Sequence, residues 1–273
     1  MEEVVRVFKS HAVKVEIQDE RTTGQKIDVS FHGELRPEQR EAVEQVLAHD
    51  HGILCAPTAF GKTVVGASLI GARAVNTLIL VHRRQLMDQW RERLAAFLTL
   101  PIENIGQFGG GKTKRTALID VAVIQSVQHK GAVEDFVAEY GHVIVDECHH
   151  LSAVTFERVL REIKAKYVLG LTATPTRKDG HQPIIYMQCG PIRFHLSAKK
   201  AAESFPLQHK VFPRFTNFAW SRSENETTIQ DIYAALFTNQ ERNDLTGSNG
   251  SQRDPESPNR HFMANRDPAR IGG

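Results

Sequence analysis

Along this chain, runs that are apolar at nearly every position alternate with runs in which apolar residues recur every three or four positions. Ile53-Leu54-Cys55-Ala56, Leu78-Ile79-Leu80-Val81, Asp120 to Ile124, His142-Val143-Ile144-Val145 and Tyr167-Val168-Leu169-Gly170-Leu171 are of the first kind. Such runs read as strands buried on both faces. Ala42, Val43, Val46 and Leu47 have helical spacing, as do Val64 to Ala72, then Leu86, Trp90, Leu94 and Phe97, then Phe156, Val159, Leu160 and Ile163. Ile105 to Phe108 predicts a further short strand. Buried strands alternating with amphipathic helices predict an α/β domain on a mostly parallel sheet. In an open sheet of this kind, ligands bind beyond the carboxyl ends of the strands.

The flanks carry weaker patterns. Val4, Val5, Val7 and Phe8 suit a short helix or strand. Val13, Val15 and Ile17 alternate with polar residues, as do Ile27, Val29 and Phe31, around a turn containing Thr22-Thr23-Gly24. Residues 1–32 therefore read as a small N-terminal β element ahead of a main domain at 33–245. Ile184 to Met187 and Phe212 to Phe218 read as strands, and Asp231 to Phe237 as a helix. From Thr246 to Gly273 the chain turns to Gly, Ser, Asn, Asp, Pro and Arg, which bury too little apolar surface to fold, so the expectation is a disordered tail.

Composition narrows the class without choosing a function. The 273 residues are 41% hydrophobic and 24% charged, as in ordinary globular chains. The net charge is +2, so a nucleic-acid partner would need a local basic patch. Three scattered cysteines, Cys55, Cys148 and Cys189, have neither metal-ligand nor disulfide spacing and suit a reducing cytoplasm. No apolar run approaches the roughly 18 residues of a membrane span. The acidic Met1-Glu2-Glu3 start lacks the basic region of a signal peptide.

Chemistry is concentrated where strands end. Ile53 to Ala56 leads into Pro57-Thr58-Ala59-Phe60-Gly61-Lys62-Thr63, and an apolar helical run follows. That is a strand–loop–helix setting in which backbone N–H groups and the helix dipole meet an anion. Lys62 would reach terminal phosphates and the Thr63 hydroxyl would bind Mg²⁺. The strict phosphate-loop pattern places a glycine where this chain has Ala56. Some 80 residues on, Asp146-Glu147 follows another buried strand. In a phosphate-loop enzyme one such carboxylate holds Mg²⁺ and its neighbour polarises the attacking water. Arg36 and Gln39 open a helix at Pro37, a place to meet a ligand. His149-His150 has no partner ligands at zinc spacing.

Ala56 to Thr63, Asp146-Glu147-Cys148-His149 and Thr172-Ala173-Thr174-Pro175, in that order, resemble motifs I, II and III of superfamily 2 helicases of the D-E-x-H form. The branch resembled holds the XPB-type DNA helicases and the helicase subunits of type I and type III restriction enzymes. Leu35-Arg36-Pro37-Glu38-Gln39 is similar to the family's upstream R-P-x-Q element, in which the glutamine reads adenine. Val81-His82-Arg83-Arg84-Gln85-Leu86 resembles motif Ia, Gly109-Gly110 the GG element, and Ile124-Gln125-Ser126 motif Ib. The resemblance covers residues 33–185 and implies a RecA-like motor domain using ATP and Mg²⁺. It implies that Pro57 to Thr63 with Arg36 and Gln39 hold the nucleotide, that Thr63 and Asp146 hold the metal, and that Lys62, Asp146, Glu147 and His149 serve hydrolysis. Arg83, Arg84, Gly109, Gly110, Gln125 and Ser126 would face a nucleic-acid backbone, DNA favoured over RNA. His149, Thr172, Ala173 and Thr174 would couple the two sites.

Family members also carry a second motor domain with a Q-x-x-G-R-x-x-R motif that completes the ATP site, and this sequence has no such pattern. The expectation is a truncated, frameshifted or deliberately cut helicase chain that binds ATP–Mg²⁺, hydrolyses it weakly alone, and is completed by a second motor domain or subunit in trans. The competing expectation is an idle nucleotide- or nucleic-acid-binding fragment acting through a partner. A phosphate-loop kinase or GTPase fits less well, because Thr172-Ala173-Thr174-Pro175 has no place in it.

Overall fold

A computed structural model describes residues 2–14, 16, 18–129, 131–148, 153–173, 182–197, 200, 216, 218–219 and 228–247. The chain divides into two compact units, residues 1–207 and 208–273. The first unit opens with helix α1 (Glu2–Ser10). It then runs α2 (Pro37–Leu47), β1 (His51–Cys55), α3 (Lys62–Arg73), β2 (Thr77–Val81), α4 (Arg84–Phe97), β3 (Ile105–Gly109), β4 (Lys112–Lys114) and β5 (Ile119–Val123). A small hairpin of β6 (Gln128–His129) and β7 (Ala132–Val133) follows, then β8 (His142–Val145), α5 (Ala153–Glu162), β9 (Tyr167–Thr172), α6 (Gln182–Cys189) and β10 (Ile192–His195).

Eight strands form one sheet in the order β10-β1-β9-β8-β2-β5-β3-β4. Every neighbouring pair is parallel except the β3–β4 hairpin at the edge. The continuous apolar runs are continuous because both faces are covered. Ile79 and Val81 of β2 face a layer containing Val43 and Val46 of α2, Val65 and Leu69 of α3, and Trp90 and Leu94 of α4. Leu78 and Leu80 face the opposite layer, with Phe156 and Val159 of α5 and Ile185 of α6. Side chains alternate across a strand, so each face receives every second residue. Each fully buried Leu or Ile contributes about 1.5–3 kcal/mol to the fold. The result is the three-layer RecA-like α/β domain that the sequence predicts. Among the described residues no helix is long and apolar enough to cross a membrane.

Two local expectations change. Ile184 to Met187 is helical, within α6. Ile185 and Cys189 are buried four residues apart, Met187 is 80% exposed, and Gly190 at φ +86° follows the last residue. A short apolar run cannot separate strand from helix by periodicity, and Pro183 in the first turn favours the helix. Among the described residues of 1–32 no strand is formed. Residues 2–10 are helical, and Ile27 and Val29 are buried in the main core. The extended segment touches that core through single bridges, Lys26 to Val75 and Phe31 to Leu98. Its backbone meets helix ends: Ile27 N–H donates to the Ala74 carbonyl after α3, and His32 N–H to the Phe97 carbonyl that ends α4. Period two was present, but the partner is a pair of helix termini, not another strand. Gly109, Gly110 and Gly111, all at positive φ, make the tight turn between β3 and β4.

In the second unit, α7 (Ile229–Thr238) and α8 (Gln240–Gly247) are helical. Thr228 caps α7, its hydroxyl accepting the Asp231 N–H at 3.3 Å. The strand read over Phe212 to Phe218 and the tail read over Thr246 to Gly273 lie outside the described residues, apart from Thr216, Phe218 and Ala219 and the last two residues of α8.

Candidate functional site

The parallel strands bring their carboxyl ends to one rim. Ala56 N–H, just past β1, donates to the Thr172 carbonyl at the end of β9, and Asp146 N–H, just past β8, donates to the Leu80 carbonyl of β2. Segments 116 and 66 residues apart in sequence are thereby fixed beside one another. A cleft of about 830 Å³ opens at this rim, lined among others by Arg36, Gln39, Gly61, Lys62, Thr63, Trp90, Asp146 and Glu147.

The loop before α3 is set by one backbone conformation. Thr58–Phe60 makes a single 3-10 turn, and Gly61 then takes φ +84° before Lys62 starts the helix. A Cβ at Gly61 would lie 2.7 Å from Gln39 Nε2, so glycine is needed both for the left-handed conformation and for the close approach. Gln39 holds the loop from the other side: its Nε2–H donates to the Phe60 carbonyl at 2.7 Å, and its Oε1 accepts the Arg36 N–H at 3.0 Å. The Arg36 guanidinium donates to the same Phe60 carbonyl. Sequence reading placed Arg36 and Gln39 at a ligand; the structure places both against the phosphate loop at the wall of the cleft.

Lys62 is 6% exposed. Its ammonium donates to the Ala56 carbonyl at 3.0 Å and lies 3.5 Å from Glu147 Oε1. Asp146 is 7% exposed. Its Oδ2 accepts the Trp90 indole N–H at 2.7 Å and its Oδ1 accepts the Glu147 backbone N–H at 3.0 Å. Burial pushes the Asp146 carboxyl above its usual range, and the Glu147 charge adds to this; the Trp90 hydrogen bond and Lys62 pull against it. Glu147 itself stands at φ +47°, left-handed for a residue with a side chain, at a cost on the order of 1–3 kcal/mol. A carboxylate pair and an ammonium held at low exposure around a common cleft form a donor set that suits a phosphate and a hard cation. Among the described residues no group of three or more His, Cys, Asp or Glu side chains is gathered. Mg²⁺ fits such a place, since it is held by one or two carboxylates and by phosphate oxygens.

A second cluster lies along the same rim. Arg83 caps α4 and Arg84 begins it, both exposed. A Cβ at Gly110, which has φ +65°, would lie 2.8 Å from Arg84 Cδ, and one at Gly109 would lie 2.4 Å from Ser126 Oγ. The Gly109–Gly110 turn, Arg84 and Ser126 are therefore in contact, with exposed Gln125 in the adjacent 3-10 turn. Thr172 is buried at the end of β9, and the Ala173 carbonyl lies 3.9 Å from Cys55 Sγ. Pro57, Thr58, Ala59 and Phe60 make up the loop before Gly61, with Thr58 and Ala59 lining the cleft. His149 and Thr174 lie outside the described residues.

Sequence reasoning missed one wall of the cleft. Leu86, Gln89, Trp90, Arg93 and Ala96 of α4 all line it, following helical spacing. Trp90 reads as a core residue from its position, yet its polar end reaches Asp146. The signal was Gly66, a glycine inside α3 whose Cβ would lie 2.8 Å from Trp90 Cη2.

Residues 32–177, more than half of the chain, match the family model described as "Type III restriction enzyme, res subunit". Over 179 residues the chain is 34% identical to a putative DNA 3'-5' helicase Rad25 of Halobacterium salinarum, covering 64% of this chain and 29% of that protein. Over 225 residues it is 30% identical to putative helicase 109L of Invertebrate iridescent virus 3, covering 78% of this chain and 65% of the viral protein. The chain thus spans less than two thirds of either relative. Among solved structures, the UvsW helicase of bacteriophage T4 superposes with a TM-score of 0.52 at 19% identity, covering 70% of this chain and 76% of that one.

Proposed function

Since the chain belongs to the type III restriction enzyme res-subunit family, among the superfamily 2 helicases its motifs resemble, we propose that it is an ATP-binding motor domain acting on nucleic acid. The observation that carries this reading is the convergence of Lys62, Asp146 and Glu147 in one cleft, from segments over 80 residues apart. Lys62 receives the β/γ-phosphates, exchanging its contacts with Ala56 and Glu147 for phosphate oxygens. Thr63 and Asp146 are the residues that would hold Mg²⁺, whose chemistry is to neutralise charge on the phosphates. Glu147 takes the proton of the attacking water. Arg36 and Gln39, already hydrogen-bonded to the loop, sit where an adenine would be read. His149, Thr172, Ala173 and Thr174 couple this site to nucleic acid.

Arg83, Arg84, Gly109, Gly110, Gln125 and Ser126 form the nucleic-acid rim. Contacts of guanidinium, hydroxyl and backbone groups to phosphates give affinity without sequence preference and weaken with salt. DNA is the proposed substrate, as it is in the name of the Halobacterium relative. Three free buried cysteines support a cytoplasmic setting. A cation on the far side of the γ-phosphate, worth about 10³–10⁵ in rate, comes in this proposal from a second motor domain or a subunit in trans.

ATP turnover by the purified chain, with and without DNA, tests the reading. The expected result is slow hydrolysis that Glu147→Gln abolishes and that a separately supplied second motor domain accelerates. Turnover unchanged in Glu147→Gln overturns the assignment of that carboxylate. Fast DNA-stimulated hydrolysis by the chain alone overturns the need for a partner.

A further inference from the structure

Helix α4 is the element common to both clusters on the rim. Its first residue, Arg84, lies against the Gly109–Gly110 turn. Trp90, six residues on and so about 9 Å along the axis, donates its indole N–H to Asp146 Oδ2 at 2.7 Å. The indole is 2% exposed and wedged between two elements of the nucleotide site. On one side is α3, where Gly66 leaves the space that any side chain would fill, its notional Cβ 2.8 Å from Trp90 Cη2. On the other is β8, which ends immediately before Asp146. With Oδ1 held by the Glu147 N–H, the Trp90 bond completes a two-point clamp on the carboxylate.

A buried tryptophan always needs an acceptor for its N–H, so Asp146 could serve only to satisfy Trp90. The placement argues for the reverse dependence. Trp90 is two turns from the basic rim on one continuous helix, which Met87 and Leu94 pack against the core. A backbone held at Arg84 would therefore bear on the indole, and through it on Asp146. We propose that Trp90 is a positioning residue for Asp146, and that α4 carries occupancy of the Arg84 rim to this carboxylate. The proposal rests on the assignment of Asp146 to Mg²⁺ made above and names how that site is regulated.

Two measurements test it. The first titrates Mg²⁺ into the chain with a fluorescent ATP analogue, comparing wild type with Trp90→Phe, which keeps an aromatic ring and removes the N–H. The Mg²⁺ midpoint is expected to rise about tenfold in the variant, the scale on which loss of a residue that orients a metal ligand is felt. The second follows the Trp90 indole N–H resonance in wild-type chain while duplex DNA is added without nucleotide. It is expected to shift with DNA, and to stay in place in Arg84→Ala. An unchanged Mg²⁺ midpoint in folded Trp90→Phe overturns the positioning role. A Trp90 resonance that ignores bound DNA overturns the coupling, and decides the matter alone if Trp90→Phe does not fold. Wild-type chain that binds no nucleotide at any Mg²⁺ concentration overturns the functional reading itself, and this inference with it.

Discussion

Two buried carboxylates, one toward each end of the sheet, are treated in opposite ways. Asp120, near the start of β5, is fully buried and accepts four hydrogen bonds: from Thr116 N–H at 2.8 Å, Thr116 Oγ1–H at 3.0 Å, Ala117 N–H at 2.9 Å and Tyr140 O–H at 2.5 Å. Among the described residues Asp146, just past the end of β8, accepts from two, Trp90 and Glu147, and has the Glu147 carboxylate beside it. Asp120 ties a loop to the sheet and leaves nothing over. Asp146 is fixed in direction, has fewer donors among the described residues and stands next to like charge, which suits the cation proposed for it. The same residue type, buried in both places, is an anchor where four donors surround it and, in the function proposed here, a metal ligand where fewer do.

The same substitution at both positions breaks or sharpens that contrast. Asp120→Asn puts an NH₂ against two donors in either orientation, so it should cost on the order of 2–4 kcal/mol of stability in urea unfolding. A loss well under 1 kcal/mol would show that the four bonds are not the anchor they resemble.

A second difference concerns proton binding at the amino ends of the strands. His142 opens β8 fully buried, and burial holds its imidazole well below the ordinary histidine range, with nearby Arg73 adding to the effect. Its unfolded form protonates near pH 6.5, so between that value and the lower folded one the unfolded state binds the extra proton. Stability is therefore intact above about pH 6.5 and lost as the pH falls, by at most about 1.4 kcal/mol per pH unit from this one group. His142→Gln should flatten the unfolding free energy over that acid range. An equal slope in variant and wild type would assign the pH dependence elsewhere.

The smallest expected effect is at the site. Asp146→Asn should leave stability within about 1 kcal/mol of wild type at pH 7 while removing the negative charge from the metal position. The sign follows from the raised carboxyl. A folded value above the unfolded one favours folding in acid, and that contribution is lost as the pH rises through the folded titration. The variant should gain on wild type as the pH is raised from acid to neutral. A gain in the opposite direction would mean that Asp146 is satisfied as Asp120 is.

The sheet and the phosphate loop were legible because they rest on local rules. Leu78 to Val81 is apolar at every position because both faces are covered, and Gly61 sits where only a left-handed residue fits. What sequence could not give depends on partners remote in the chain. Ile27 and Val29 alternate as a strand would, yet the segment's bonds go to helix ends, from Ile27 N–H to Ala74 and from His32 N–H to Phe97. Ile184 to Met187 is too short for its period to decide between strand and helix. Trp90 has the spacing of a core residue, and its second role exists only because Asp146, 56 positions later, folds back onto its N–H.

The account stands or falls on Lys62. Equilibrium binding of a fluorescent ATP analogue with Mg²⁺ to the purified chain, wild type against Lys62→Ala, measures this directly. Saturable binding in wild type that weakens at least about tenfold in a folded Lys62→Ala, a loss of about 1.4 kcal/mol, is the predicted result. Equal affinity in the two, or no saturable binding by wild type, would contradict it.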